Sequence, residues 1–493
     1  MSGPATGSSV ARLILAAVVA LGIGVFLVAL YPSLALLLAA LLIVALLALR
    51  RPAAAFLLAI GLIGFEGTIK IRLTIENVPH PLGVGAAALD LGLLAGLAGL
   101  LARAGLAPFR EIWSRAGRAE RAAFVLLALW LALSLVQIPL GGPFRTAVNG
   151  FRLTQAYFVI GVLGGVLLWR ARPGAATVQA ALIGLAVVGA YAAVRVVTGP
   201  SGAEQAFAVA PGAPQELGSA FRGVGSFSGT FGLTSFLVPS SVLAFAVAVA
   251  LPRVRKLAIL VCALGIVALL GSFVRAGLVA VTAGLLVVTA FLLIDRGVDR
   301  RLKLVVVGSL GVLFLATVVG VAASSGLSDQ LRARAKGFIS PGSDASAKIR
   351  RQTWKRTLRE WRKEPLGAGL GTVGAATGVA GGTHGANAAG AAIRGRKEAT
   401  YADNSFLKVL REQGIEGLAL FLAGMLTLLA VLTAKLIRAG PIRHPVAAGA
   451  LGAVCAYLVL FMFSEYIEQP GKVVVWTLLG VAVWDLRESR GND

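Results

Sequence analysis

The chain has 493 residues, 57% of them hydrophobic and 14% charged, with a mean hydropathy of +0.86. Those values exclude an ordinary water-soluble globule. The formal net charge of +24 is spread over many short connections, which argues against a nucleic-acid-binding face and predicts no nucleic-acid partner.

Apolar runs of about 16 to 23 residues recur along the chain, the length needed to cross a hydrocarbon core of about 30 Å as helix. A β-barrel needs alternating segments of about ten residues, and this pattern is absent from the sequence. The fold class expected is therefore an all-α polytopic membrane protein of about 12–14 transmembrane helices. In chain order the spans are 10–30, 32–49, 52–68, 83–102, 122–138, 153–169 and 177–198. The later ones are 232–251, 257–273, 276–294, 304–323, 414–434, 446–464 and 472–486. The run from Ala11 to Leu30 is too long for a signal-peptide core and is followed at once by another span, so it reads as retained.

Every second connection is basic, from Arg50 and Arg51 through Arg103–Arg121, Arg253–Lys256 and Arg296–Lys303 to Arg487. Lys and Arg concentrate on the inner side of a membrane, so both termini are expected inside. Cys262 and Cys455 lie in apolar spans and provide no disulfide framework. The chain divides into N-terminal transmembrane helices (1–220), transmembrane helices with outer-face arginine turns (221–323), a large outer loop (324–404) and C-terminal transmembrane helices (405–493).

The outer segments hold the polar chemistry. Glu66–Pro81 alternates apolar and polar residues and reads as an interfacial segment. Pro139–Arg152 carries Arg145 and Arg152, and a Gly/Ser-rich turn from Phe221 to Phe231 carries Arg222. Arg275 sits in the tight Gly-Ser-Phe-Val-Arg-Ala-Gly connection. The large loop contains fourteen Lys or Arg residues against six acids, a net charge of +8. Its first half, Ala345 to Glu364, is an amphipathic helix with Ile349, Trp354, Leu358 and Trp361 on one stripe. Pro365 ends it. A Gly/Ala-rich stretch with the lone His384 follows, and then a new helix capped by Asp403 or Asn404.

A guanidinium binds phosphate oxygens bidentately and keeps its charge. Arg222 and Arg275, with Arg152 beside them, can hold a pyrophosphate and stabilise it as a leaving group without a metal. Each can equally snorkel to lipid headgroups or cap helix carbonyls. Arg350 can extend such an anion site or rest on anionic headgroups, and Trp354 can stack on a sugar or anchor the helix at the interface. Asp403 can serve as general base or as a plain cap, with His384 as the other candidate base. Glu66 and Asp90 are costly in lipid and should face the protein interior. No Asp-x-Asp pair on an outer loop, His/Cys metal spacing or phosphate-binding Gly-Lys-Ser loop occurs, so neither a metal nor a cofactor is expected.

Several of these features resemble, in order, the O-antigen ligase and O-antigen polymerase superfamily. They are Arg222-Gly-Val-Gly-Ser-Phe, Ser272-Phe-Val-Arg-Ala-Gly, the Arg350-x-x-x-Trp354 helix start, and Pro365-Leu-Gly-Ala-Gly-Leu-Gly. The last is Asp403-Asn-Ser-Phe-Leu-Lys-Val-Leu-Arg-Glu-Gln-Gly-Ile-Glu-Gly-Leu. The resemblance spans about Phe221 to Leu420. It implies transfer of a glycan from a polyprenyl-pyrophosphate-linked oligosaccharide donor to a glycan or lipid acceptor, on the outer face of a bacterial cytoplasmic membrane. It further implies that Arg222 and Arg275 bind the pyrophosphate and that Asp403 and Asn404 stand near the acceptor, with Arg350 and Trp354 on the glycan. Ligases of the family have His where this chain has Asp403, which tilts the expectation toward polymerisation of repeat units. A ligase is the alternative enzyme, and a transporter of lipid-linked glycans the alternative class.

Overall fold

A computed structural model describes residues 31–140, 143–171, 175–202, 204, 216–217, 220–221, 225–272, 274–301, 303–304, 307–308, 311, 345–375 and 401–488. The predicted span 10–30, most of 304–323, Arg222 and His384 lie outside the described residues.

Among the described residues the protein is all-helical apart from one two-residue antiparallel pair, Glu216–Leu217 with Ala220–Phe221. Its helices are α1 (Pro32–Arg50), α2 (Pro52–Ile63), α3 (Glu66–Ile75), α4 (Pro81–Ala104), α5 (Ala107–Arg115), α6 (Arg118–Leu140), α7 (Phe144–Phe151) and α8 (Tyr157–Arg170). They continue with α9 (Ala175–Thr198), α10 (Thr230–Ala250), α11 (Arg255–Gly271), α12 (Arg275–Ile294) and α13 (Ala345–Lys363). The last three are α14 (Ser405–Ala439), α15 (Pro445–Phe461) and α16 (Lys472–Asp485).

Among the described residues nine helices are long and apolar enough to cross a membrane, or ten if α2 and α3 make one span bent by 62°. With the shorter α15 and α16, helices stand at twelve of the fourteen predicted spans. Pro32, Pro52, Pro81 and Pro445 start helices at a first-turn position, where the missing N–H costs nothing. Gly105, at φ +60°, closes α4.

Helices in lipid associate through close packing because lipid tails are as apolar as leucine. The contact of α8 with α16 is built on this. A Cβ on Gly165 would stand 2.0 Å from the Thr477 carbonyl oxygen, and one on Gly480 2.1 Å from that of Val162. Only glycine lets the two backbones meet. Beside this crossing Trp130, Phe158 and Trp476 stack edge to face, with centroids 5.6 and 5.1 Å apart. The Trp130 indole donates to Gln413 Oε1 at 2.6 Å, which satisfies its polar end inside the bundle.

The segment from Glu66 is helical as α3 over Glu66–Ile75. Ser226 Oγ bonds the Gly64 carbonyl, and Gly67 and Thr68 donate to the Ser226 carbonyl at 2.9 and 3.0 Å. Glu66 is buried, ion-paired with Lys70 and hydrogen-bonded by Ser228 Oγ at 2.7 Å. The bend thus docks onto the end of the turn that follows Arg222.

Candidate active site

The described part of the large loop is built around a break in α14. At Gly414, φ is +73°, so the helical ladder is interrupted there. The carbonyls of Arg411 and Glu412 lose their partners one turn on and accept instead from the amides of Ala368 and Gly369, at 2.9 and 3.0 Å. The glycine turn after Pro365 is therefore fastened to the kink. A Cβ on Gly367 would stand 2.4 Å from the Glu412 carbonyl oxygen, so the approach requires glycine.

Beneath this turn lies a buried charge cluster. Lys408 Nζ donates to Glu412 Oε1 at 2.6 Å, to the Val373 carbonyl at 2.6 Å, and pairs with Glu468 Oε1 at 3.0 Å. Glu412 Oε1 also accepts from Val373 N at 3.2 Å, and Glu468 Oε2 from Ala375 N at 2.7 Å. Glu465 Oε1 accepts from Ala402 N at 2.6 Å. One lysine and three carboxyl groups thereby join the glycine turn, the start of α14 and the connection between α15 and α16. Burial, and next the carboxylate of Glu468, push the Glu465 carboxyl well above the usual range, against the pull of Lys408. Burial with the neighbouring carboxylates pushes the Tyr401 hydroxyl up as well.

Asp403 follows directly on Ala402 and has φ +48°, the left-handed region that Asn, Asp and His visit most among non-glycine residues. Its carbonyl accepts from Trp354 Nε1 at 3.2 Å. Asn404, not Asp403, caps α14: its Oδ1 accepts from the amides of Phe406 and Leu407 at 2.8 and 3.0 Å, and its Nδ2 donates to the Met462 carbonyl at 3.2 Å. Asn404 is thus committed to local structure, and the Asp403 carboxyl is left for other work. Burial pushes that carboxyl up, opposed by the charges of Arg350 and Arg356. Arg350 stands over the Phe463 ring at 5.9 Å, and its buried Nε has no hydrogen-bond partner among the described residues. Arg350, Trp354 and Asp403 are therefore brought together by the docking of α13 across the start of α14.

The other arginines fall differently. Arg152 opens a π-helical turn, Arg152–Ala156, and its guanidinium is ion-paired with Asp90 and donates to Asn149 Oδ1 at 3.2 Å. Tyr157 donates to the second Asp90 oxygen at 2.7 Å. Asp90 faces the interior, and the charge of Arg152 is balanced there. Arg275 begins α12 behind Ser272, whose Oγ accepts from Val274 N at 3.3 Å. Its helix meets α10 where a Cβ on Gly277 would touch Thr234, and Phe231 in the same turn of α10 stacks on Tyr466 at 5.6 Å. Arg275 thus lies at the end of the bundle that holds Glu465 and Asp403.

A family description matches part of this assembly. Residues 260–422 match a family model described as O-antigen ligase. The family comprises membrane glycosyltransferases of the ligase and polymerase type. The matched segment runs from α11 into α14 and contains Arg275, Arg350, Trp354, Asp403, Lys408 and Glu412, while Glu465 and Glu468 lie beyond it. No curated protein matches the chain.

Sequence reasoning missed the buried cluster. Lys408 and Glu412 lie inside the Asp403–Leu418 motif, which by itself gives them no role, and Glu465 and Glu468 lie outside it. Glu465 and Glu468 fall in the short connection between the predicted spans 446–464 and 472–486, where charge is ordinary, so the sequence carries no signal for them.

Proposed function

We propose that the protein transfers a glycan from a polyprenyl pyrophosphate to the hydroxyl of an acceptor sugar on the outer face of the cytoplasmic membrane, polymerising surface polysaccharide repeat units. The observation that carries this reading is the meeting of Asp403, Arg350 and Trp354 inside the segment that matches the O-antigen ligase family model.

In this mechanism the Asp403 carboxylate takes the proton of the acceptor hydroxyl. The hydroxyl oxygen forms a bond to the anomeric carbon of the donor sugar, and the bond from that carbon to the pyrophosphate oxygen breaks. The electron pair leaves with the polyprenyl pyrophosphate. Arg275, with Arg222, stabilises the charge that develops there, and direct displacement inverts the anomeric centre. A carboxyl held above its usual range suits the base, because a general base works best with a pKa near the working pH. Arg350 beside it favours the ionised form, and Trp354 fixes the backbone on which it stands. Asp403 occupies the position at which ligases of the family have His, which favours the polymerase over the ligase.

The test is mass spectrometry of polyprenyl-linked and surface glycans in cells lacking the protein, beside the parent strain. Single repeat units accumulating on the carrier are expected. Long polymers stranded on the carrier would make the protein a ligase. Unchanged pools in a strain without a second copy of the gene would overturn the transferase reading.

A further inference from the structure

At the end of the bundle away from Asp403, the helices enclose a cavity of about 290 Å³. Its walls are apolar side chains of α6, α8, α14 and α16, among them Leu127, Val162, Leu428 and Leu479. Along α8 the lining runs from Phe158 to Val166, about 12 Å of helix at ~1.5 Å per residue. Half of a hydrocarbon core is about 15 Å, so the cavity reaches across most of one leaflet. A small polar ligand needs converging polar groups to orient it, and this lining supplies none.

The mouth has a different character. The short helix α5 puts Phe109, Ile112 and Trp113 into the lining, while Arg110 and Arg115 on the same helix are exposed. Arg121, exposed at the start of α6, stands over the Trp113 ring at 5.6 Å and donates to the Trp113 carbonyl at 3.1 Å. Arg103 and Arg118 are exposed nearby in sequence. The two acids of this region are engaged: Glu111 by Arg487 at 3.1 Å, and Glu120 by Lys435 at 2.6 Å. An apolar slot one leaflet deep thus opens beneath an excess of positive charge.

We propose that this cavity binds one acyl chain of an anionic phospholipid from the leaflet at the basic end of the bundle, with the headgroup phosphate among the arginines around α5. The amphipathic α5, with an aromatic side chain at the interface, frames the entry as interfacial helices do. Charge complementarity selects a phosphatidylglycerol-like lipid over a zwitterionic one. A polyprenyl pyrophosphate whose head lies beside Asp403 has its charged end at the opposite surface and does not enter by this mouth. The site is independent of the chemistry proposed above.

The test is native mass spectrometry of the full chain after detergent washing and equilibration with equal amounts of phosphatidylglycerol, phosphatidylethanolamine and polyprenyl phosphate. One phosphatidylglycerol retained per chain is expected. The paired substitution V162F/L163F, which fills the slot, should lower its retention about tenfold, since each lost methylene contact weakens binding severalfold, with the melting temperature little changed. Should that variant fail to fold, R110Q/R118Q serves instead and should bring phosphatidylglycerol and phosphatidylethanolamine to parity. Retention of both phospholipids alike by the parent protein, retention of polyprenyl phosphate instead, no retained lipid, or full retention by a folded filled variant would each overturn the proposal.

Discussion

The indole of Trp354 donates to the backbone carbonyl of Asp403 at 3.2 Å, across 49 residues of sequence. That single bond ties the amphipathic helix of the loop to the residue proposed as base. Trp354→Phe keeps most of the ring and removes the donor. A neutral hydrogen bond contributes about 1 kcal/mol, so transfer should fall roughly fivefold, with Trp354→Ala losing more through lost packing. Glycan transfer by the purified variants measures both.

Asp403→Asn isolates the carboxylate, because asparagine tolerates the φ of +48° as well as aspartate does. Transfer should drop by about 10²–10⁴, the usual contribution of a general base, while the melting temperature stays close to the parent's. A folded Asp403→Asn protein with full activity would remove Asp403 from the mechanism.

The pH profile follows from the same group. The base acts ionised, so activity should fall as pH drops through its pKa and level off above it. Burial raises that pKa despite Arg350 and Arg356, so the acidic limb should lie above the ~3.9 of an ordinary aspartate. Arg350→Gln removes an opposing charge and should move the limb further toward neutral pH. A limb that shifts down in Arg350→Gln contradicts the assignment.

Lys408 tests the buried cluster. Lys408→Met leaves the carboxyl groups of Glu412 and Glu468 buried without their cation, a loss of about 3–5 kcal/mol. Thermal unfolding in detergent should show a large drop. Lys408→Met with Glu412→Gln should recover part of it, since one of the unpaired charges is then neutral.

Arg275 and Arg152 should separate by readout. Arg152→Ala strands Asp90 beside Tyr157, so stability falls first and activity with it. Arg275→Lys keeps a positive charge but loses the planar fork through which Arg275 is proposed to grip phosphate. Its transfer rate should fall with little change in melting temperature.

Much of this protein is legible in one dimension. Apolar runs near 20 residues specify membrane helices because backbone polar groups in lipid must be satisfied within the segment. Prolines mark where helices begin for an equally local reason. Trp354, Asp403 and the glycines after Pro365 stand out through motif and spacing. Asn404 and Asp403 were interchangeable as caps on the page of sequence, and only the left-handed backbone of Asp403 and the bonds of the Asn404 side chain decided between them.

Apart from the i,i+4 pairs Glu66–Lys70 and Lys408–Glu412, the charge partners were decided by tertiary structure. Asp90 finds Arg152 62 residues away, Ala402 finds Glu465 across 63, and Lys435 finds Glu120 across 315. Local pattern predicts that an ion inside a membrane protein needs a partner, because an unpaired one costs several kcal/mol. It does not say which partner, since that depends on which helices pack side by side. In sequence alone Arg152 and Arg350 were both candidate ligands for substrate; in the fold Arg152 neutralises Asp90, and Arg350 is the one brought to Asp403.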